Sequence, residues 1–333
     1  MLDTAIIQQV TDIFRSLESR YTLSAHISQE HSAAAEMREF LADFATTSSN
    51  ITVETHDAEG NTLYFDILKD GAPTGITFRG IPNGHEFTSL LLALLNADGK
   101  GKNLPDEGIA HRVKALQGDI HLQTYISLSC TNCPDVVQAL NIMALVNPTI
   151  SHEMVDGALF QSEVDAKGVQ AVPSVYADGE LLHVGRGTLG ELLEKLEAKY
   201  PSTSDASNST GEPILRSYDV VVVGGGPAGA SAAIYSARKG LKVAIVAERI
   251  GGQVKETVGI ENLISIPYTT GSELADNLRT HLTHYPIELF ENRRIESTEL
   301  AGKDKLIRVK GGETFTSRAV IIATGASWRR LNV

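Results

Sequence analysis

Cys130 and Cys133 are the only two cysteines in 333 residues, and they stand together in Cys130-Thr131-Asn132-Cys133-Pro134 between an apolar strand-like run and a helical pattern. A pair at this spacing can close into a disulfide and reopen, passing two electrons each time. The strand would deliver the first sulfur to a helix N-terminus, where unpaired N–H groups and the helix dipole stabilise a thiolate. Cys130 is therefore expected to attack and Cys133 to resolve. Zinc is disfavoured: it needs four ligands, and no second C-x-x-C or paired-histidine spacing lies beside the two cysteines.

A second group of residues is suited to phosphate. The buried-strand run at 218–223 leads into Gly224-Gly225-Gly226-Pro227-Ala228-Gly229 and a helix expected over 230–239. Gly224 permits the tight turn, Gly226 lets backbone approach a pyrophosphate, and Gly229 lets helix pack on strand, with the phosphates at the helix N-terminus. A strand expected over 242–246 leads to Glu248, 19 residues past Gly229, where an acid would accept from ribose hydroxyls. Gly251-Gly252-Gln253 follows, then Asn262 and Pro267, where a large planar ring could lie against backbone. Ala323-Thr324-Gly325-Ala326, at the end of a further apolar strand, closes the pattern.

The elements that must position the cysteines are written twice. Ile27-Ser28 matches Ile126-Ser127, and Ile51, Glu54 and Asp57 match Ile150, Glu153 and Asp156, all 99 positions apart. Lys69-Asp70-Gly71 meets Ala177-Asp178-Gly179 at a separation of 108, so nine residues are inserted in the second copy. Each copy reads strand, helix, strand, strand, an Asp-Gly turn, strand and a closing helix, at 86–95 and 188–199. That order is a thioredoxin-like unit. His31 and Ala34 hold the places of Cys130 and Cys133 in the first copy, which leaves it a structural or docking half. Pro173 opens a strand where such a fold sets a cis-proline beside the disulfide, and Phe65 stands at the matching place.

The fold class expected is α/β, a tandem thioredoxin-like domain followed by an incomplete Rossmann-like nucleotide domain. The boundaries expected are a repeat without cysteines at 1–100, a repeat with the C-x-x-C at 101–199, a polar linker at 200–213 and the nucleotide segment at 214–333. Hydrophobic content of 42% suits a soluble globule. No basic, apolar leader opens the chain, and no stretch reaches the roughly 18 apolar residues of a membrane span. The expectation is a cytoplasmic protein. A net charge of −12 repels phosphate backbones, so nucleic acid is not an expected partner.

Ser127-Leu128-Ser129-Cys130, Asn132-Cys133-Pro134-Asp135, Gly84-His85-Glu86-Phe87-Thr88-Ser89-Leu90, Gly226-Pro227-Ala228-Gly229 and Gly251-Gly252-Gln253 together resemble the flavoprotein components of bacterial alkyl hydroperoxide reductases. The nucleotide segment by itself is similar to the FAD domain of thioredoxin reductases. The resemblance implies electron flow from NAD(P)H to FAD, through a reductase dithiol to Cys130 and Cys133, and on to a peroxiredoxin, the peroxide-reducing component. It also implies that Glu86 is an acid near the dithiol, and that a homodimer forms through the flavin module. Family chains continue with a nicotinamide domain and a second C-x-x-C. The sequence here stops at Val333, so a fragment with weak or absent FAD binding is expected. The rival reading is a docking module that binds the peroxiredoxin without dithiol cycling.

Overall fold

A computed structural model of the chain describes residues 2–101, 104–202 and 214–326. The expected polar linker lies outside the described residues from 203 onward, as do the last residues, 327–333. Two compact units form, Met1–Ala206 and Ser207–Val333.

The first unit opens with α1 (Thr4–Phe14), β1 (Tyr21–Ser28), α2 (Ala34–Ala45), β2 (Ile51–Ala58), β3 (Leu63–Lys69), β4 (Ala72–Arg79) and α3 (Phe87–Ala97). It continues with α4 (Glu107–Ala115), β5 (Ile120–Ile126), α5 (Cys133–Val146), β6 (Ile150–Asp156), α6 (Gln161–Lys167), β7 (Ser174–Ala177), β8 (Glu180–Val184) and α7 (Leu189–Lys199). The repeat is physical as well as textual. Tyr21 pairs in parallel with Ile51, and Ile120 with Ile150, in the same register. Both β-hairpins turn at Asp-Gly with positive φ at each residue, 50° and 82° at Asp70-Gly71 and 51° and 81° at Asp178-Gly179, the two-residue turn that follows strand twist.

The second copy differs from the order expected of it. Helix α6 stands between β6 and β7 and takes up the insertion; its seven residues include no buried one, so no apolar period announces it. The leading helices α1 and α4 are likewise additions to the expected order. Helix α4 is tied to α7 through the buried pair Arg112–Glu197, at 2.8 Å.

Strand order β2-β1-β3-β4-β6-β5-β7-β8 makes one eight-stranded sheet. The halves join through parallel pairing of β4 with β6, from Ile76↔His152 to Arg79↔Val155. Gly75, at φ 78°, brings the chain so close that a Cβ there would stand 2.9 Å from the Ile150 carbonyl oxygen. One apolar core runs through both repeats, from Val10 and Phe14 to Leu193 and Leu196.

The second unit contains β9 (Leu215–Gly225), α8 (Pro227–Ala237), β10 (Val243–Ile250), α9 (Gly271–Thr283), β11 (Ile287–Phe290), β12 (Ile295–Glu299), β13 (Lys305–Val309) and β14 (Thr314–Ile322). Its sheet runs β11-β10-β9-β14-β13-β12, parallel across the first four strands and antiparallel across the last two. Successive valines of β9 serve opposite faces, as a pleated strand requires. Val220 and Val222 pack with α8 residues Ala230 and Ala233, whereas Val221 and Val223 pack with Phe290 and Phe315. Among the described residues, no helix is long and apolar enough to cross a membrane.

Candidate functional site

Cys130 and Cys133 are joined by a disulfide, with their Cα atoms 5.6 Å apart. Cys130 lies in the turn after β5, its N–H donating to the Ser127 carbonyl at 2.9 Å. Helix α5 begins at Cys133, with Asn132 as N-cap, Pro134 in the first turn and Asp135 as the acidic first-turn residue. Pro134 loses nothing there, because first-turn N–H groups have no partner within the helix. Cys133 is fully buried and Cys130 is only partly so. Cys130 therefore presents the sulfur that a second molecule can reach. The Val172–Pro173 peptide is cis, and the Val172 carbonyl oxygen lies 3.8 Å from Cys130 Sγ. In the disulfide this is a contact, since the sulfur carries no hydrogen; the reduced thiol would have one to donate.

Glu86 ends a 3-10 turn, Gly84–Glu86, that leads into α3. The turn sits on the approach to the cysteines: His85 N–H donates to the Leu128 carbonyl at 3.3 Å, and a Cβ at Gly84 would stand 2.8 Å from that same oxygen. Glu86 is neither a surface acid nor a side-chain cap; it is 0% exposed and, at the N-cap of α3, makes no side-chain capping bond. Ser89 donates to its Oε2 at 2.6 Å, and Gln138 of α5 donates to Ser89 Oγ at 3.3 Å. Oε1 has no partner. Burial, with a lesser push from Asp135, raises the Glu86 pKa to about 7 against the pull of Ser89. A carboxyl with one oxygen unpaired in the apolar interior is more stable protonated, because an ion there would lack the solvation it had in water. Ser89 and Gln138 had no signal in the sequence beyond the i, i+3 placement of Ser89 after Glu86.

The matching place in the first repeat is filled. His31 is 7% exposed, accepts the Ala33 N–H on Nδ1 at 3.1 Å and lies 5.9 Å from the ring of Phe160. Burial lowers its pKa, and this imidazole, accepting a backbone N–H on Nδ1, stands where the second repeat has Cys130.

In the second unit the glycine loop joins β9 to α8. A Cβ at Gly224 would stand 2.2 Å from the Ala323 oxygen, at Gly225 2.4 Å from the Arg249 oxygen, and at Gly229 2.0 Å from the Gly224 oxygen. At Gly226 it would meet nothing. Three of these glycines thus let chain segments touch, while the Cβ side of Gly226 faces open space. Pro227 and Ala228 are exposed at the start of α8. Gly251 N–H donates to the Gly225 oxygen at 2.8 Å, and a Cβ on Gly252 would come 3.1 Å from Gly226 Cα. The Gly251-Gly252-Gln253 segment is therefore laid against the glycine loop, and Ala323-Thr324 against Gly224. Thr324, Gly325, Gln253 and Asn262 are exposed. Asn262 stands on the loop closed by the Ile260–Thr269 bridge. Glu248 is exposed within β10, which runs to Ile250 and past the expected end of that strand. The disulfide and the glycine loop belong to different units.

Residues 120–198 match the thioredoxin domain family and residues 218–333 the pyridine nucleotide-disulphide oxidoreductase family. The F subunit of alkyl hydroperoxide reductase from Staphylococcus epidermidis is 43% identical over 335 residues, covering 100% of this chain and 63% of that protein. A solved structure, the NTD_N/C domain of alkylhydroperoxide reductase AhpF from Enterococcus faecalis, is 31% identical with a TM-score of 0.54, over 59% of this chain and 100% of that one. The chain belongs to the AhpF family of alkyl hydroperoxide reductases. A Bacillus subtilis protein named NADH dehydrogenase is 43% identical over 334 residues, again 100% of this chain and 63% of its own. The chain thus spans 63% of the length of these relatives. Within the AhpF family the expected fold class holds, a thioredoxin-like tandem followed by a Rossmann-like region.

Proposed function

We propose that the chain is the dithiol-bearing part of an oxidoreductase that moves electrons from NAD(P)H, by way of FAD, to the peroxiredoxin, or C component, that reduces alkyl hydroperoxides. The observation that carries this reading is the partly buried Cys130 bonded to a fully buried Cys133 at the head of α5. Starting from the reduced pair, the Cys130 thiolate attacks one sulfur of the partner's disulfide; a Cys130–partner bond forms and the other partner sulfur leaves as thiolate. Cys133 then attacks Cys130 Sγ, the mixed disulfide breaks, and the partner departs with both electrons. Glu86 titrates near neutral pH and stands just before α3, linked through Ser89 to Gln138 of α5, where it would take or return the proton of Cys133.

The residues of the glycine loop suit a dinucleotide, since the loop ends at the N-terminus of α8, the Cβ side of Gly226 faces open space and its neighbours fix the turn. We assign FAD to Gly224–Gly229, Glu248, Gly251-Gly252-Gln253, Asn262, Thr324 and Gly325. When bound, the flavin supplies the passage between hydride and dithiol chemistry. The first repeat, with His31 and Ala34 for cysteines, serves as a structural half, and a homodimer through the nucleotide module belongs to the same reading.

Thiols counted on the purified chain before and after reduction, then after addition of oxidised peroxiredoxin, test the proposal. Two thiols gained, and both lost as the peroxiredoxin is reduced, is the expected result. Tight peroxiredoxin binding without thiol loss would leave only the docking reading.

A further inference from the structure

The loop between β8 and α7 crosses beside the dithiol, and its residues are fixed one by one. Gly185 N–H donates to the Pro173 carbonyl at 2.8 Å, tying the loop to the cis peptide. His183 Nε2 lies 3.0 Å from the carbonyl oxygens of both Gly185 and Arg186. Both are acceptors, so Nε2 carries a proton and donates; Nδ1 is buried with no partner. Gly187 has no room for a side chain, because a Cβ would stand 2.7 Å from His183 Nε2. Thr188 then starts α7 with a capping box. Between two glycines, this scaffold turns Arg186 onto the active-site turn, where its Nε and Nη2 donate to Asn132 Oδ1 at 2.9 and 2.6 Å.

Asn132 is the second residue between the cysteines and the N-cap of α5, yet its side chain makes no capping bond. Its amide oxygen is turned to the guanidinium instead. A cap given up for an arginine places a permanent cation on the C-x-x-C turn, at the helix end that already favours negative charge.

We propose that Arg186 is a positioning residue for the dithiol: through Asn132 it fixes the active-site turn and stabilises the Cys130 thiolate. The inference rests on the dithiol reading above. It adds a charge from a different strand-helix loop to the helix dipole, and it makes the reduced form easier to reach, since a stabilised thiolate favours the dithiol over the disulfide.

The rate of Cys130 alkylation is measured against pH in the whole reduced chain carrying Cys133→Ser, with and without Arg186→Gln or Arg186→Lys. Glutamine can still donate to Asn132 Oδ1 but has no charge. Arg186→Gln is expected to raise the midpoint by roughly 0.5–1 pH unit, and Arg186→Lys by less than half as much. The equilibrium of the intact dithiol with a reference thiol pair is expected to shift about threefold to tenfold toward disulfide in Arg186→Gln. High salt should shrink the difference, because the charge is exposed. Unchanged midpoints in a folded Arg186→Gln variant would overturn the inference and leave Arg186 a loop pin. Absence of any thiol cycling in the unaltered chain would instead overturn the dithiol reading itself.

Discussion

At the scale of the residue, the proposed division of labour between the two sulfurs rests on burial, Cys133 being fully buried and Cys130 only partly so. Cys130→Ser is expected to abolish electron transfer to a peroxiredoxin, whereas Cys133→Ser should still attack and then accumulate a stable mixed disulfide, visible as a shifted band on a non-reducing gel. Glu86 gives a prediction in pH. Its folded pKa of about 7 lies above the ordinary carboxyl value, so between roughly pH 4.5 and 7 the folded chain holds a proton that the unfolded chain releases. The stabilisation is present in acid and lost as pH rises through 7. Glu86→Gln keeps an acceptor for Ser89 and removes the ion. It should unfold at higher urea than the parent at pH 8, by up to about 3 kcal/mol, and equally at pH 4. A variant with the parent's stability at both pH values would show that Glu86 ionises without penalty.

At the scale of the element, the second repeat buries a polar contact that pulls the other way. His152 on β6, 1% exposed, lies 2.7 Å from Asn141 Oδ1 of α5 and 2.8 Å from Thr124 Oγ1 of β5. An acceptor at Nδ1 and a hydroxyl able to donate to Nε2 suit a neutral ring. Burial lowers its pKa to about 3. The unfolded chain therefore binds a proton first, and stability falls as pH drops below about 6.5, by roughly 1.4 kcal/mol per unit until the folded ring protonates. His152→Gln should lose that acid slope while the Glu86 slope remains, which denaturant midpoints from pH 5 to 7 would separate. In the second unit, Gly229→Ala tests the helix-strand contact. Alanine in a helix normally gains about 1 kcal/mol over glycine. Here its Cβ would stand 2.0 Å from the Gly224 oxygen, so the sign should reverse, with a loss of about 2 kcal/mol or more and of flavin uptake. A thermal melt that rises in Gly229→Ala would refute the contact.

At the scale of the whole molecule, the two repeats are one folding unit because their strands share one sheet and one core. Residues 1–202 expressed alone should unfold in a single transition and cycle two thiols, whereas residues 104–202 alone would expose the edge of β6 and the apolar surface that covers β4. Circular dichroism on the two fragments checks this, and a stable, two-thiol 104–202 fragment would show that the joint is dispensable. Gly75→Val probes the same joint in the intact chain. It combines a strained positive φ with a 2.9 Å approach to Ile150, and should lower the melting temperature of the first unit while leaving the second unchanged.

What depends on neighbours along the chain was legible in the order of residues. The C-x-x-C before a helix, the Asp-Gly turns, the glycine loop after a valine strand and the 99-residue repeat are local patterns, each fixed by backbone conformation or by the period of apolar residues. Short or polar elements carry no such period, and α6 went unannounced for that reason. That the repeats join through β4 and β6 came from the folded chain, since a strand edge states no partner. The fold likewise showed Glu86 buried rather than solvated, because a lone glutamate reads the same in either place until α5 closes over it. Arg186 belongs to this class as well. Fifty-four residues of chain separate it from Asn132, and only the fold, by returning β8 to the edge beside β7, brings its guanidinium onto the Asn132 amide oxygen between the two cysteines.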